Sequence, residues 1–248
     1  MDKITDSAPI LEVKNATKRF GGLTAVNEVN LFLASGNILG LIGPNGAGKT
    51  TFFNVLSGVF VPDNGSVKFF GEDITKLSPP QRCSKGIGRT FQIPKPFGSL
   101  NVIENVMIGA LLHTNSLTVA KEEANEILDI VDLQSKSLFI ANNLTIADRK
   151  RLELAKALAT KPKLLLLDEV MAGLRPSEID DIMILLQKIN NSGVTLLIIE
   201  HVMSAIMRLC KYLVVMSNGL KIAEGYPQDI AKDPKVIQVY LGEEYEIA

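Results

Sequence analysis

The chain has 248 residues, of which 46% are hydrophobic and 21% are charged, with a formal net charge of −1. This balance is typical of a globular protein with a buried core, and it argues against nucleic acid or an anionic membrane surface as a partner. No apolar run is long enough to span a bilayer, residues 1–10 lack the apolar core of a secretory signal, and the widely spaced Cys83 and Cys210 indicate ordinary thiols in a reducing compartment.

Strands dominate the predicted structure of the first 75 residues. Residues 11–14 and 26–33 alternate between apolar and polar side chains, with a glycine break at residues 21–22. A turn at residues 62–65 leads to a further strand at residues 66–70. Ser78 and Pro79 then mark the start of a helix.

A phosphate-binding loop lies within this region. The apolar strand 38–42 precedes it, and a helix over residues 51–57, with Gly58 as its stop, follows. The pattern G-x-x-x-x-G-K-[ST] is complete in Gly43, Pro44, Asn45, Gly46, Ala47, Gly48, Lys49 and Thr50. Backbone N–H groups of such a loop bind phosphate, Lys49 can reach the β- and γ-phosphates, and Thr50 can ligate Mg²⁺. The flanking strand and helix favour this interpretation over a glycine-rich turn with a chance lysine.

The second half of the chain predicts helices followed by buried strands. Helical periodicity over residues 94–160, including a charged helix over 147–159, indicates a helical subdomain inserted into an α/β core. Buried strands follow at residues 163–169 and 194–199, separated by a helix that begins at Pro176 and ends at residues 191–193. A hairpin is predicted at residues 213–223. Strands that alternate with helices imply a mainly parallel sheet with its ligand at the carboxyl ends of the strands.

Two acidic residues end the predicted strand 163–169, which contains four consecutive leucines. Asp168 is the candidate Mg²⁺ ligand, and Glu169 can orient or polarise the attacking water. The alternative is a buried strand that ends in two solvated acids, and the phosphate loop favours the nucleotide-related interpretation. His201 follows the next buried strand and can hydrogen-bond a γ-phosphate, whereas His113 has only a structural interpretation.

Together these motifs resemble the ATP-binding subunits of ATP-binding cassette (ABC) transporters, from Leu11 to the C-terminus. The resemblance implies that Phe20 stacks on adenine, that Gln92 is the Q-loop glutamine and that His201 is the switch histidine. It implies that Glu169, His201 and Gln92 act in catalysis and that Thr50, Gln92 and Asp168 hold Mg²⁺. The implied ATP contacts are the phosphate loop, extended to Thr51, and two residues of the signature segment, Thr145 and Ala147. The D-loop corresponds to residues 172–175, with Arg175 in place of the usual aspartate.

The signature segment departs from the family pattern. In place of L-S-G-G-Q the chain has Leu144, Thr145, Ile146, Ala147 and Asp148. Thr145 keeps the hydroxyl, and the backbone N–H groups of Ile146 and Ala147 remain at a helix start. Arg149, Lys150 and Arg151 are expected to favour phosphate by their charge, and Asp148 is expected to point away from it as a first-turn acid.

Four segments resemble the ATPases of branched-chain amino-acid uptake in particular: residues 89–92, 101–106, 167–174 and 239–242. The function implied is an ATP-hydrolysing subunit that powers import, as a homodimer or with a paralogous subunit, bound to transmembrane permease subunits at the inner face of the cell membrane. A lipopolysaccharide-export ATPase and a regulatory subunit that hydrolyses ATP poorly remain alternatives. A soluble ABC protein of DNA repair or translation is disfavoured by the near-neutral charge and by the lack of a coiled-coil insertion or second cassette.

We expect one ABC ATPase domain over residues 9–248, with a nucleotide-binding core at 9–93 and 161–248 and the helical subdomain at 94–160. Residues 93–97, in which two prolines flank Lys95 and precede Phe97, have two interpretations: a permease-docking surface, or a solvated loop whose Phe97 enters the core.

Overall fold

The structure, a computed structural model, describes residues 9–241. Gly242 of the C-terminal segment and the rest of the predicted domain end lie outside the described residues. The elements up to the start of the middle region are β1 (Pro9–Phe20), β2 (Leu23–Ala34), β3 (Ile38–Ile42), α1 (Lys49–Leu56), β4 (Asn64–Phe69), β5 (Glu72–Asp73) and α2 (Pro79–Ser84). The middle region contains β6 (Ile87–Arg89), α3 (Val102–Ala110), α4 (Leu117–Ile130), α5 (Ile146–Leu158), β7 (Leu164–Asp168) and α6 (Pro176–Asn191). The chain continues through β8 (Thr195–Ile199), α7 (Met203–Leu209), β9 (Tyr212–Ser217), β10 (Leu220–Gly225), α8 (Pro227–Ile230) and α9 (Pro234–Leu241).

These elements form two compact units. The first comprises the described residues up to Arg82 and from Thr195 onward, and the second comprises Cys83–Val194. The two compact units meet in the chain at residues 82/83 and 194/195. This division does not test the boundaries predicted at residues 93/94 and 160/161, which stay a prediction.

The first unit carries two kinds of sheet. One is antiparallel, with β1 paired to both β2 and β4, and β5 at its edge. In the other, β3 lies parallel to β8 and β9, and β9 forms the predicted hairpin with β10. Every residue of β3 and β8 is buried, as the continuous apolar runs in the sequence predict.

The second unit combines a parallel strand pair with helices. β6 and β7 pair in parallel, with Ile87 opposite Leu164, and α3, α4 and α5 lie between these two strands in the chain. Helices α3 and α5 approach closely at Gly109, where an added Cβ would lie 2.7 Å from the Ala159 Cβ and 2.8 Å from the Lys156 carbonyl oxygen. The α/β fold with a mainly parallel sheet, an N-terminal antiparallel part and inserted helices is confirmed.

None of the helices within residues 9–241 is long and apolar enough to cross a membrane.

Candidate functional site: the phosphate loop and the ends of the buried strands

The phosphate loop connects β3 to α1 in the predicted manner. Gly43 and Gly48 have φ of 147° and 96°, and a Cβ on either would collide with a backbone carbonyl, that of Met216 or Ala25. Only glycine therefore fits at these two positions. The loop presents Asn45 and Gly46 to solvent, with Thr50 exposed at the start of α1.

The Lys49 side chain is hydrogen-bonded to the phosphate loop, where it is expected to bind phosphate. This side chain is buried, and the ammonium donates to the carbonyl oxygens of Gly43 at 2.7 Å and Pro44 at 2.8 Å. The lysine head group is therefore already positioned at the phosphate loop, beside the N-terminus of α1 where phosphate binding is favourable.

Phe20 and His201 are the other predicted site residues of the first unit. The Phe20 ring is 43% exposed at the end of β1, with its edge against Phe60 and the Lys18 ammonium 5.7 Å from its centroid. An exposed, laterally supported ring is suited to stacking on a base. His201 is exposed two residues after the end of β8, and its backbone N–H donates to the Glu200 carboxylate at 3.3 Å.

In the second unit, Asp168 ends β7 as a buried carboxylate beside a cation. The guanidinium of Arg89, at the end of the neighbouring strand β6, donates to it at 3.1 Å. Burial raises the pKa of Asp168, while the Arg89 guanidinium and the Lys150 ammonium act in the opposite direction. A buried carboxylate requires either a paired charge or a metal ion, and Arg89 supplies the paired charge here.

Glu169 is brought together with the predicted Q-loop glutamine. The Gln92 amide nitrogen donates to the Glu169 carboxylate at 2.7 Å, so the amide oxygen is the atom of Gln92 that remains for a metal ligand. Glu169 has a φ of 50°, a left-handed conformation that is uncommon for a residue with a side chain. Such backbone strain tends to occur at functional sites.

The signature segment forms the start of α5, and Thr145 is its N-cap. The Thr145 oxygen accepts from the Asp148 N–H at 3.2 Å, while its hydroxyl donates to the Asp148 carboxylate at 2.7 Å. Asp148 is buried and also accepts from the Lys136 ammonium at 2.6 Å. Burial alone would raise the pKa of Asp148, but the bonds from Lys136 and Thr145 outweigh it and hold that pKa below its ordinary value.

The three basic residues after Asp148 each donate to the main chain of the second unit. Arg149 donates to the Asn142 carbonyl at 2.6 Å, and Lys150 donates to the carbonyls of Gln92 and Glu169. Arg151 donates to the Val131 carbonyl at 3.0 Å. All three side chains bind main-chain carbonyls of their own unit, and the expectation that their charge favours phosphate stays a prediction. Ala147 lies half-buried in the first turn of α5.

Sequence reasoning did not identify Arg89 and Lys136 as neighbours of the predicted site, and it did not predict that Lys150 binds the backbone of Gln92 and Glu169. Arg89 stands three residues before Gln92, directly where strand β6 ends, and this position is the one signal that points to it. Lys136 and Lys150 carry no such signal, since their contacts depend on how the helices pack.

A glycine-rich loop between a buried parallel strand and a helix, with an acidic pair at the end of a second buried strand, defines a nucleotide-binding α/β protein of the P-loop class. The ABC transporter family matches residues 26–172, and the family described as branched-chain amino acid ATP-binding cassette transporter matches residues 221–246. The chain belongs to the ABC transporter family and is an ATP-binding, ATP-hydrolysing cassette.

Curated relatives and solved structures agree with this assignment. The high-affinity branched-chain amino acid transport ATP-binding protein BraF of Pseudomonas aeruginosa is 39% identical over 96% of this chain and 99% of its own length. The corresponding LivG protein of Escherichia coli K12 is 38% identical over the same shares. A nucleotide-free ATP-binding cassette from an ABC transporter superposes with a TM-score of 0.87 at 33% identity, covering 94% of this chain and 99% of that one.

Proposed function

We propose that this chain hydrolyses ATP to power the uptake of branched-chain or similar amino acids through separate permease subunits. The observation that carries the catalytic part is the pairing of Glu169 with Gln92 next to the buried Asp168. The substrate class is supported by the C-terminal family match and by what the relatives are named for, since no part of this chain is itself expected to contact the transported molecule.

The nucleotide is proposed to bind through its phosphates to Gly43–Thr51 and through its base to Phe20. The loop's glycines, the positioned Lys49 ammonium and the exposed Phe20 ring support this assignment. His201 is proposed to hydrogen-bond the γ-phosphate, since it leaves the carboxyl end of a buried parallel strand.

Mg²⁺ is proposed to be held by oxygen atoms of Thr50, Gln92 and Asp168. A hydroxyl, an amide and a carboxylate are donors that this cation prefers. The residues fit, because Asp168 is a buried carboxylate, which requires a cationic partner, and because the Gln92 amide nitrogen, not its oxygen, donates to Glu169. When bound, Mg²⁺ neutralises charge on the phosphates.

Glu169 is proposed to orient the attacking water and accept its proton. Gln92 holds the carboxylate of Glu169 in one place, and the left-handed backbone fixes the direction in which the side chain leaves β7. A general base acts only within hydrogen-bond reach of the proton that it removes, so this fixed placement is what the role requires.

Two cassettes, identical or paralogous, are proposed to enclose ATP head to tail, with the signature segment of one completing the phosphate site of the other. The Thr145 hydroxyl proton must leave Asp148 to reach a phosphate, because a hydroxyl has one proton to donate. The unpaired backbone N–H groups at the start of a helix such as α5 can donate to a phosphate without first breaking a side-chain hydrogen bond.

The surface of residues 93–97, with the nearby Phe91, is proposed to bind the permease. Phe91, Ile93 and Phe97 are 51%, 70% and 50% exposed. The exposure of Phe97 argues against the alternative, a solvated loop whose Phe97 enters the core. The backbone of Phe97 is fixed by Asn105, whose side chain accepts from the Phe97 N–H at 2.8 Å and donates to the Phe97 carbonyl at 3.1 Å.

Turnover after reconstitution with the neighbouring permeases tests this function. We expect ATPase activity that an apolar amino acid stimulates, and we expect Glu169→Gln to reduce it to a slow residual rate while ATP stays bound. Normal turnover of Glu169→Gln would contradict the catalytic assignment. Stimulation by a lipid, and by no apolar amino acid, would favour the exporter alternative, and negligible turnover of the parent complex would favour a regulatory subunit.

A further inference from the structure

Helix α5 sends one lysine into the interior of its unit. Lys150 is only 4% exposed, and its ammonium donates to the main-chain carbonyl of Glu169 at 2.7 Å and to that of Gln92 at 3.1 Å. Burying an ammonium is costly unless it is hydrogen-bonded, and these two carbonyls supply such bonds.

With the Gln92–Glu169 side-chain bond, these contacts close a ring. Lys150 binds the backbone of Gln92 and of Glu169, and the Gln92 side chain binds the Glu169 carboxylate at 2.7 Å. Three segments that are far apart in the chain are thus fixed to one another: the start of α5, the segment after β6 and the end of β7. Each member of the ring is restrained from two directions.

The ring holds Glu169 in a left-handed backbone conformation that is unfavourable for a residue with a side chain. A non-glycine residue with a φ of 50° is retained only when its surroundings specify that conformation. A hydrogen bond from a charged donor is stronger than a neutral one, and here it reaches the carbonyl of the strained residue itself.

We propose that Lys150 is a positioning residue for hydrolysis: it fixes the backbone of Glu169 and Gln92, and thereby the place of the Glu169 carboxylate relative to the attacking water. This inference rests on the proposed catalytic role of Glu169. Lys150 also lies five residues after Thr145 on the same helix, so displacement of the signature segment is transmitted to the backbone of Glu169.

The test begins with Lys150→Met, which keeps the length of the side chain and removes its donors. In the purified full chain we expect kcat for ATP to fall by about 10²-fold, the effect typical of a catalytic group misplaced by about 1 Å. The KM for ATP should stay within about 2-fold, because the bonds from Lys150 to Gln92 and Glu169 are made to the protein backbone. Lys150→Arg should recover most of kcat, since a guanidinium can donate to both carbonyls.

Lys156→Met is the matched control. Lys156 lies on the same helix and also donates to a main-chain carbonyl, that of Lys95 at 3.0 Å, and to Glu153 at 2.7 Å. Its loss removes a comparable anchor that does not reach Glu169, so kcat should change little. An equal fall in kcat for both variants would overturn the proposal in favour of general destabilisation.

A cycle with Glu169→Gln separates this proposal from the proposed function. If Lys150 acts through Glu169, Lys150→Met should cause no further loss in the Glu169→Gln background. A full additional loss there would show a structural role only and overturn the proposal. Normal kcat of Lys150→Met beside an impaired Glu169→Gln would also overturn it and leave the proposed function intact, whereas normal kcat of Glu169→Gln would refute both. Should Lys150→Met not fold, Lys150→Gln carries the same measurements and the same expectations.

Discussion

Arg82 is the largest fully buried side chain of the described structure, and its replacement should cost much of the stability of the first unit. It is 1% exposed, and burial lowers its pKa to about 10, so it stays charged at neutral pH. Its five hydrogen bonds all go to main-chain carbonyls, those of Val55, Leu56, Ile74, Thr75 and Leu77, over distances of 2.6 to 3.1 Å.

Two of these carbonyls belong to the last turn of α1, the helix that begins at the phosphate loop. Carbonyls at a helix C-terminus have no partner within the helix, and a cation there interacts favourably with the helix dipole. In Arg82→Met the methionine fills part of the space, but the carbonyls of Leu56, Thr75 and Leu77 lose their guanidinium donor. The carbonyls of Val55 and Ile74 keep a backbone N–H donor each. Each unsatisfied group costs about 1–3 kcal/mol. Because some of the carbonyls will gain water, we expect a total loss of about 3–5 kcal/mol.

Urea unfolding measures this loss directly. The midpoint should fall strongly while the m-value, which reports the surface exposed on unfolding, stays the same. Arg82→Lys should be intermediate, since an ammonium has three donors for five acceptors. Arg19→Met is the control, because Arg19 is an exposed arginine of the same unit, and its midpoint should not move. A loss below about 1 kcal/mol for Arg82→Met would refute the reasoning, because that is the range of a single ordinary hydrogen bond.

Three further predictions concern the site itself. Because the pKa of Asp148 is lowered in the folded state, its contribution to stability is complete above its ordinary pKa and is lost as the pH falls through the folded value. The free energy of unfolding of Asp148→Asn should therefore depend less on pH in that acidic range than that of the parent protein. Equal pH dependence of the two proteins would contradict this. Lys49→Ala should weaken ATP binding in a nucleotide titration, because phosphate charge is left without its ammonium partner, and unchanged affinity of the folded variant would remove the phosphate-loop assignment. His201→Ala should lower hydrolysis while ADP affinity stays near normal, since ADP lacks the γ-phosphate; equal losses for both nucleotides would instead indicate a structural role.

The sequence predicts most reliably those features that depend on neighbours in the chain. The strand before the phosphate loop, the glycines that shape it and the helix after it are all local, so residues 38–58 could be assigned without a structure. The same holds for the hairpin of β9 and β10, where Asn218 and Gly219 form the turn with positive φ at both positions.

Features that depend on packing between distant segments could not be predicted in this way. Arg82 belongs to a polar helix start in the sequence, and nothing in the pattern shows that its guanidinium is buried against α1. Asp148 is recognisable as a first-turn acid, but its partner Lys136 lies in a separate segment twelve residues away. The carbonyl partners of residues 149–151 could not be predicted for the same reason, because charge alone does not distinguish a solvated side chain from one whose head group binds a carbonyl.

The close approach at Gly109 separates two reasons for which a position can require glycine. Gly109 does not have a left-handed backbone, and its restriction comes from the facing helix, whereas Gly173 has a φ of 77° with open space around its Cα. A mutational scan of this cassette should therefore distinguish them. Asparagine, which tolerates the left-handed region, should be accepted at 173 and rejected at 109, while even the single methyl group of alanine at 109 would push α3 away from α5. The tolerance profile at each glycine thus reports whether the backbone or a neighbouring element imposes the constraint.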